Sequence, residues 1–90
     1  MKTKFDFVVS GKKDILDNLQ AHATLIQKFT DGSFFNITNV SRSEDKTQLF
    51  VRIEDEAAKA ERFRDLIHNR FPGLRAMMFR ITKTTENDGK

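Results

Sequence analysis

Few residues of this chain have the types and spacing that catalysis or metal binding requires. The sequence has two histidines, His22 and His68, and no cysteine, so thiolate metal sites, disulfides and a cysteine nucleophile are excluded. Neither histidine is spaced four residues from another common metal ligand, which argues against a zinc site. The sequence therefore predicts no metal site and no cofactor.

The remaining polar residues also fit poorly with an active site. Acidic side chains such as Asp14 and Asp65 alternate with lysines and arginines, as is usual on the solvent face of a helix. The turn SGKK, residues 10–13, could hold an anion with its backbone amides. It lacks both glycine spacings that define nucleotide-binding loops, so a nucleotide site is not expected there. We predict that the protein is not an enzyme.

Apolar residues alternate in some stretches of the sequence and recur at helical spacing in others. These two periods predict the strands and helices that position the polar side chains. Four stretches alternate between apolar and polar residues, which is typical of half-buried β-strands: KFDFVVSG, SFFNITNV, TQLFVRIED and LRAMMFRIT. Apolar residues at helical spacing predict one helix over residues 12–29 and a second from Asp55, its expected N-cap, to Arg70.

The resulting order, β-α-β-β-α-β, resembles the ferredoxin-like folds. Right-handed crossovers then place both helices on one face of a four-stranded antiparallel sheet with strand order 4-1-3-2, an α+β sandwich. We expect residues 1–84 to form one domain and residues 85–90 to be a flexible polar tail. The predicted core consists of Phe5, Phe7, Val9, Leu19, Ile26, Phe35, Ile37, Leu49, Val51, Ile53, Phe63, Ile67, Met77 and Phe79.

The sheet face opposite the helices is the best candidate for a functional surface. The strand order places Val8 and Phe50 near each other on this face, and an apolar patch rimmed by basic residues is typical of a binding surface. The predicted binding residues are Lys4, Val8, Phe34, Phe50, Arg52, Met78 and Arg80.

Three interpretations of this surface remain open. RNA-recognition domains use the same face, stacking bases on aromatic residues of their first and third strands. The third strand here has Phe50, the first has Val8 in place of an aromatic residue, and no KGFGFV-like motif occurs. We slightly favour binding of single-stranded RNA. The alternatives are a homodimer or protein partner on the same face, as in regulatory domains of the ACT type, and an ordinary surface with scattered apolar residues.

Acylphosphatases share this topology, size and basicity, so they are the enzyme family to compare. That family has an arginine after a glycine-rich turn that follows the first strand. Here the turn and early helix read SGKKDILDNLQ, without an arginine, and only Asn39 could match the family's asparagine. The comparison argues against this activity.

Charge and composition restrict the partners and the compartment only loosely. The formal net charge of +3 is spread along the chain, which mainly favours solubility. The opening MKTKFDFVVSG is not followed by a long apolar run, so neither a signal peptide nor a membrane span is expected. We therefore predict a cytoplasmic protein without a membrane partner.

Overall fold

The computed structural model describes residues 3–29 and 35–81, with only the backbone at residue 29. The predicted ferredoxin-like βαββαβ fold is confirmed: a four-stranded antiparallel sheet has the order β2-β3-β1-β4, which is the predicted order counted from the other edge. None of the described helices is long and apolar enough to cross a membrane. The elements are β1 (Thr3–Ser10), α1 (Lys13–Phe29), β2 (Ile37–Arg42), β3 (Gln48–Asp55), α2 (Ala57–Arg70) and β4 (Arg75–Ile81).

The core lies between the sheet and the two helices, and aromatic rings occupy its centre. The ring of Phe63 on α2 meets Phe7 of β1 edge to face at 5.2 Å between centroids, and it meets Phe35 in the same way at 5.3 Å. Such contacts add to the free energy gained by burying the rings. Every predicted core residue is buried except Met77 and Phe79.

The prediction for β4 was wrong about which side chains face the helices. Met77 and Phe79 are 50% and 48% exposed, whereas Ala76 is buried and Met78 packs against the core. Apolar residues occur on both faces of this strand, so alternation alone did not determine its orientation. The buried Leu74, which precedes β4, is spaced by two and four residues from Ala76 and Met78, and its burial fixes the orientation that the structure shows.

The glycine of the SGKK turn has a packing role. Gly11 has a φ of +153°, and a Cβ atom at this position would lie 2.5 Å from Cδ2 of Leu74. A side chain would therefore displace the Leu74 side chain and crowd the carbonyl oxygen of Gly73, 3.2 Å away, and the φ itself disfavours any residue that has a Cβ atom. Packing and backbone conformation therefore account for Gly11, and an anion site is not needed to explain the glycine of this turn.

The junction between β3 and α2 also differs from its prediction. The N-cap of α2 is Glu56, without a side-chain cap, whereas Asp55 is the last residue of β3 and is only 4% exposed. The Asp55 carboxylate accepts hydrogen bonds from the backbone amides of Glu56 at 2.8 Å and Asn36 at 3.2 Å. Asp55 thus connects the segment before β2 to the start of α2, because its carboxylate satisfies one amide from each.

Arg42, at the end of β2, connects the β2–β3 hairpin to α1 through hydrogen bonds. Its side chain is only 6% exposed, and its Nη1 atom donates to Oδ1 of Asp17 at 2.7 Å and to Oε1 of Gln20 at 2.9 Å. Nη2 donates to the carbonyl oxygen of Lys13 at 3.2 Å, and Nε and Nη2 both donate to the carbonyl oxygen of Lys46 at 3.2 and 3.0 Å. Arg42 lies between the two stretches SFFNITNV and TQLFVRIED that the sequence predicts as strands, so its burial was not predicted.

The hairpin turn itself is held by Asp45. The Thr47 hydroxyl and backbone amide and the Ser43 hydroxyl all donate to Oδ1 of Asp45. These hydrogen bonds favour the charged carboxylate, and they lower the pKa of Asp45 from 3.8 to about 2. Lys46, next to Asp45, has a φ of +69°, which is uncommon for a residue other than glycine.

Candidate interaction surface

The sheet face that the helices do not cover, here called the open face, carries a row of apolar side chains across three strands. Val8 of β1 lies directly opposite Phe50 of β3 on one side and Met77 of β4 on the other. Residues directly opposite in an antiparallel pair point to the same face, so these three side chains are neighbours. We call Phe50, Val8 and Met77 the apolar row. Phe79 is the next open-face residue of β4 after Met77, and it lies opposite Asp6.

Four charged residues lie beside the apolar row on β1 and β3. Arg52 donates to Asp6 through two hydrogen bonds, Nε to Oδ1 at 2.7 Å and Nη2 to Oδ2 at 3.0 Å. Lys4 lies directly opposite Glu54 in the same strand pair. The signs therefore alternate both along each strand and between the strands. We call Lys4, Glu54, Asp6 and Arg52 the charge square, and its formal net charge is zero.

The predicted binding residues fall into three groups. Lys4, Val8, Phe50 and Arg52 lie on the open face. Phe34 lies outside the described residues. The predicted position of Met78 and Arg80 on the open face was wrong, because they lie opposite Phe7 and Phe5 of β1, whose side chains point to the core.

The residues that sequence reasoning missed are Met77 and Phe79, which take the open-face positions assigned to Met78 and Arg80. This exchange makes the open face more apolar than predicted and removes one arginine from it. Arg75 lies on the same face of the strand as Met77 and Phe79, and its charge could have indicated that this face is exposed. Arg80 lies on the opposite face, so the two arginines give contradictory indications of the orientation of β4.

The side chains considered for catalysis do not converge. The ring of His22 packs against that of Phe71, with 6.0 Å between centroids, and His68 is exposed on α2. Asn39 of β2 lies opposite Arg52 of β3, and the Asn39 amide donates to the Ser41 hydroxyl at 3.4 Å. Within residues 3–29 and 35–81, no group of three or more histidine, aspartate or glutamate side chains could hold a metal ion.

Comparison with known proteins provides support for the fold alone. No protein-family model matches the chain, and no curated protein matches it significantly. A similar solved structure is that of uncharacterized protein TM1266 from Thermotoga maritima, with a TM-score of 0.56 and 7% sequence identity. The match covers 91% of this chain and 100% of that one. At this identity the two chains share an architecture, and the likeness carries no information on function.

Proposed function

We propose that this protein is a non-catalytic interaction module that forms a homodimer by packing the open faces of two copies together. The observation that carries the proposal is the apolar row with its neighbour Phe79. Met77 and Phe79 are 50% and 48% exposed, although they lie in the middle of a regular strand. Adjacent exposed apolar side chains on a flat sheet are typical of a surface that a protein partner covers.

The charge square supports a second copy of the same chain as the partner. A two-fold axis between the two sheets, parallel to β1 and β3, would place Arg52 over the partner's Asp6 and Lys4 over the partner's Glu54. The same axis would place Phe50 over the partner's Val8. Alternating charges are complementary to themselves under this symmetry, so no like charges would face each other.

The size of the open face sets the expected affinity. Four strands about 4.8 Å apart, with about 3.3 Å per residue, span roughly 19 by 25 Å, or about 480 Å² in projection. Stable interfaces bury about 800 Å² of accessible surface per partner, which is more than the open face offers in projection. We therefore expect a reversible dimer with a dissociation constant in the micromolar range.

Sedimentation equilibrium over a wide concentration range tests the proposal. We expect the mass to rise from 10.4 kDa toward twice that value as the concentration increases through the micromolar range. Phe50→Glu and Met77→Glu should each keep the protein monomeric, because each would bury an unpaired charge in the interface. Leu25→Glu is the matched control, since Leu25 is 54% exposed on α1, in the other layer.

Two results would contradict the homodimer. One is a mass of 10.4 kDa that does not change up to high micromolar protein. The other is a dimer that Leu25→Glu disrupts while Phe50→Glu and Met77→Glu leave it intact, because this result would place the interface on the helices.

A second candidate function is binding of single-stranded RNA to the same face. It is favoured by the position of two phenylalanines, Phe50 and Phe79, on one flat surface where bases can stack. The charge square disfavours it, because Asp6 would repel phosphate groups and already pairs with Arg52.

Replacing Asp6 separates the two functions. Asp6→Asn should strengthen binding of a short mixed-sequence RNA in a fluorescence anisotropy assay, because it removes a negative charge near the phosphates. The same change should weaken the homodimer, because Arg52 would then face no carboxylate in the partner. Phe50→Ala should weaken RNA binding by about 1–3 kcal/mol with little effect on its salt dependence.

A further inference from the structure

A groove of about 400 Å³ lies between the two helices, on the layer away from the open face. Its volume is within the usual range for sites that bind small molecules. His22 contacts Phe71, which follows the end of α2, so His22 and Arg70 lie at the same end of the groove. The groove is lined by His22 and Ile26 of α1, by Arg62, Leu66 and Arg70 of α2, and by Phe35.

The floor of the groove is apolar, and its α2 wall is cationic. Ile26 and Phe35 belong to the core, with 8% and 9% of their surfaces exposed, and Leu66 is partly buried and packs against that core. Arg62 and Arg70 are four residues before and after Leu66, so all three share one side of the helix. The two guanidinium groups therefore flank an apolar surface.

These two arginines differ from those that stabilise the fold. In the described part of the chain, the salt bridges connect Arg42 to Asp17, Arg52 to Asp6 and Lys59 to Asp55. None of them involves Arg62 or Arg70, and no described residue that lines the groove is acidic. The groove thus combines an apolar floor with two guanidinium groups that are available to an anion.

We propose that this groove binds a small organic anion with an apolar body. The apolar body would lie on Ile26, Phe35 and Leu66, where burial removes it from water. Its carboxylate or sulfonate would be held by the guanidinium groups, whose planar donors match such anions. This site is independent of the homodimer, because its residues lie on the helix side of the sheet and the open face lies on the other side.

The probe for the test is 8-anilino-1-naphthalenesulfonate, and N-phenyl-1-naphthylamine is its uncharged counterpart. In NMR titrations of the full chain, we expect the sulfonate to shift the amides of residues 20–26 and 62–70. The uncharged amine, which has the same rings without the sulfonate, should bind about tenfold more weakly because it cannot pair with either arginine.

Charge-neutral variants locate the site. Arg62→Gln and Arg70→Gln should each raise the dissociation constant of the sulfonate about threefold, and the double variant about tenfold. Arg64→Gln is the matched control, because it removes the same charge from α2 at a position that does not line the groove. Its dissociation constant should change less than twofold, as expected for weak, screened interactions between surface charges. Thermal unfolding of each variant verifies that it is folded.

Three results would overturn the proposal. The first is the absence of sulfonate binding at millimolar concentration. The second is binding that shifts residues 4–8 and 48–54 in place of the helices, which would assign the probe to the open face. The third is an equal loss of affinity in Arg64→Gln and in Arg70→Gln, which would reduce the effect to net charge.

Discussion

Replacing Arg42 with alanine tests how much the contacts between the hairpin and α1 contribute to the free energy of unfolding. The guanidinium makes five hydrogen bonds to four groups: Asp17, Gln20 and the carbonyl oxygens of Lys13 and Lys46. Asp17 is 68% exposed, so after the substitution water can solvate its carboxylate. The cost is therefore the net value of the hydrogen bonds, without the full penalty of leaving buried groups unpaired.

The magnitude follows from three contributions. Hydrogen bonds to four acceptors at about 0.5–1 kcal/mol each amount to about 2–4 kcal/mol. Burial of the aliphatic stem adds about 1 kcal/mol, and the rotamer entropy regained on removing the side chain offsets about 2 kcal/mol. We expect Arg42→Ala to lower the free energy of unfolding by about 1–3 kcal/mol. For a domain of this size, that change lowers Tm by about 5–15 °C.

Urea denaturation followed by circular dichroism measures the effect, and two companion variants assign its cause. Arg42→Lys keeps the charge but loses the planar set of donors, so it should lose about half as much stability. Asp17→Ala removes only one exposed partner and should cost less than about 1 kcal/mol. The reasoning would be refuted if Asp17→Ala cost as much as Arg42→Ala, because the surface ion pair would then account for the whole effect.

Three further predictions concern the core and the hairpin. Phe63→Ala should lower the free energy of unfolding by about 3–5 kcal/mol in urea denaturation, and Phe50→Ala should cost much less in dilute protein, where the open face is solvated. Lys46→Gly should raise Tm by a few degrees, because it relieves the positive φ. The hydrogen bonds from Thr47 hold the pKa of Asp45 at about 2, below 3.8, so the stability they provide is present above pH 3.8 and lost as the pH falls toward 2. Asp45→Asn should therefore flatten the acid side of a plot of stability against pH.

The fold was predictable because the spacing of apolar residues in each segment predicts the strand or helix that the βαββαβ topology requires there. Alternation in β1 and β3 is unambiguous: Phe7 and Val51 are buried, and Asp6 and Arg52 are on the other face. The orientation of β4 was not predictable in this way, since Ala76 and Met77 are both acceptable in a core. Its orientation depends on contacts with distant residues, above all the close approach of Leu74 to Gly11.

The candidate surfaces were predictable to different degrees. Val8 and Phe50 could be paired once the strand order was known, and the structure shows them directly opposite each other. The burial of Arg42 could not be predicted, because its acceptors are contributed by a helix far away in the sequence. The groove was missed for the same reason: Arg62 and Arg70 resemble ordinary solvent-exposed charges until α1 is placed beside them.

The position of β1 in the sheet has a consequence for how the domain forms during synthesis. β1 is made first, yet it lies between β3 and β4, the last two strands to be made. Val8 pairs with Phe50 and with Met77, so its strand cannot complete its hydrogen bonds until β4 has left the ribosome. Until then, the apolar side chains of β1 lack part of the sheet that shields them, and this is the period in which a nascent chain is most exposed to aggregation.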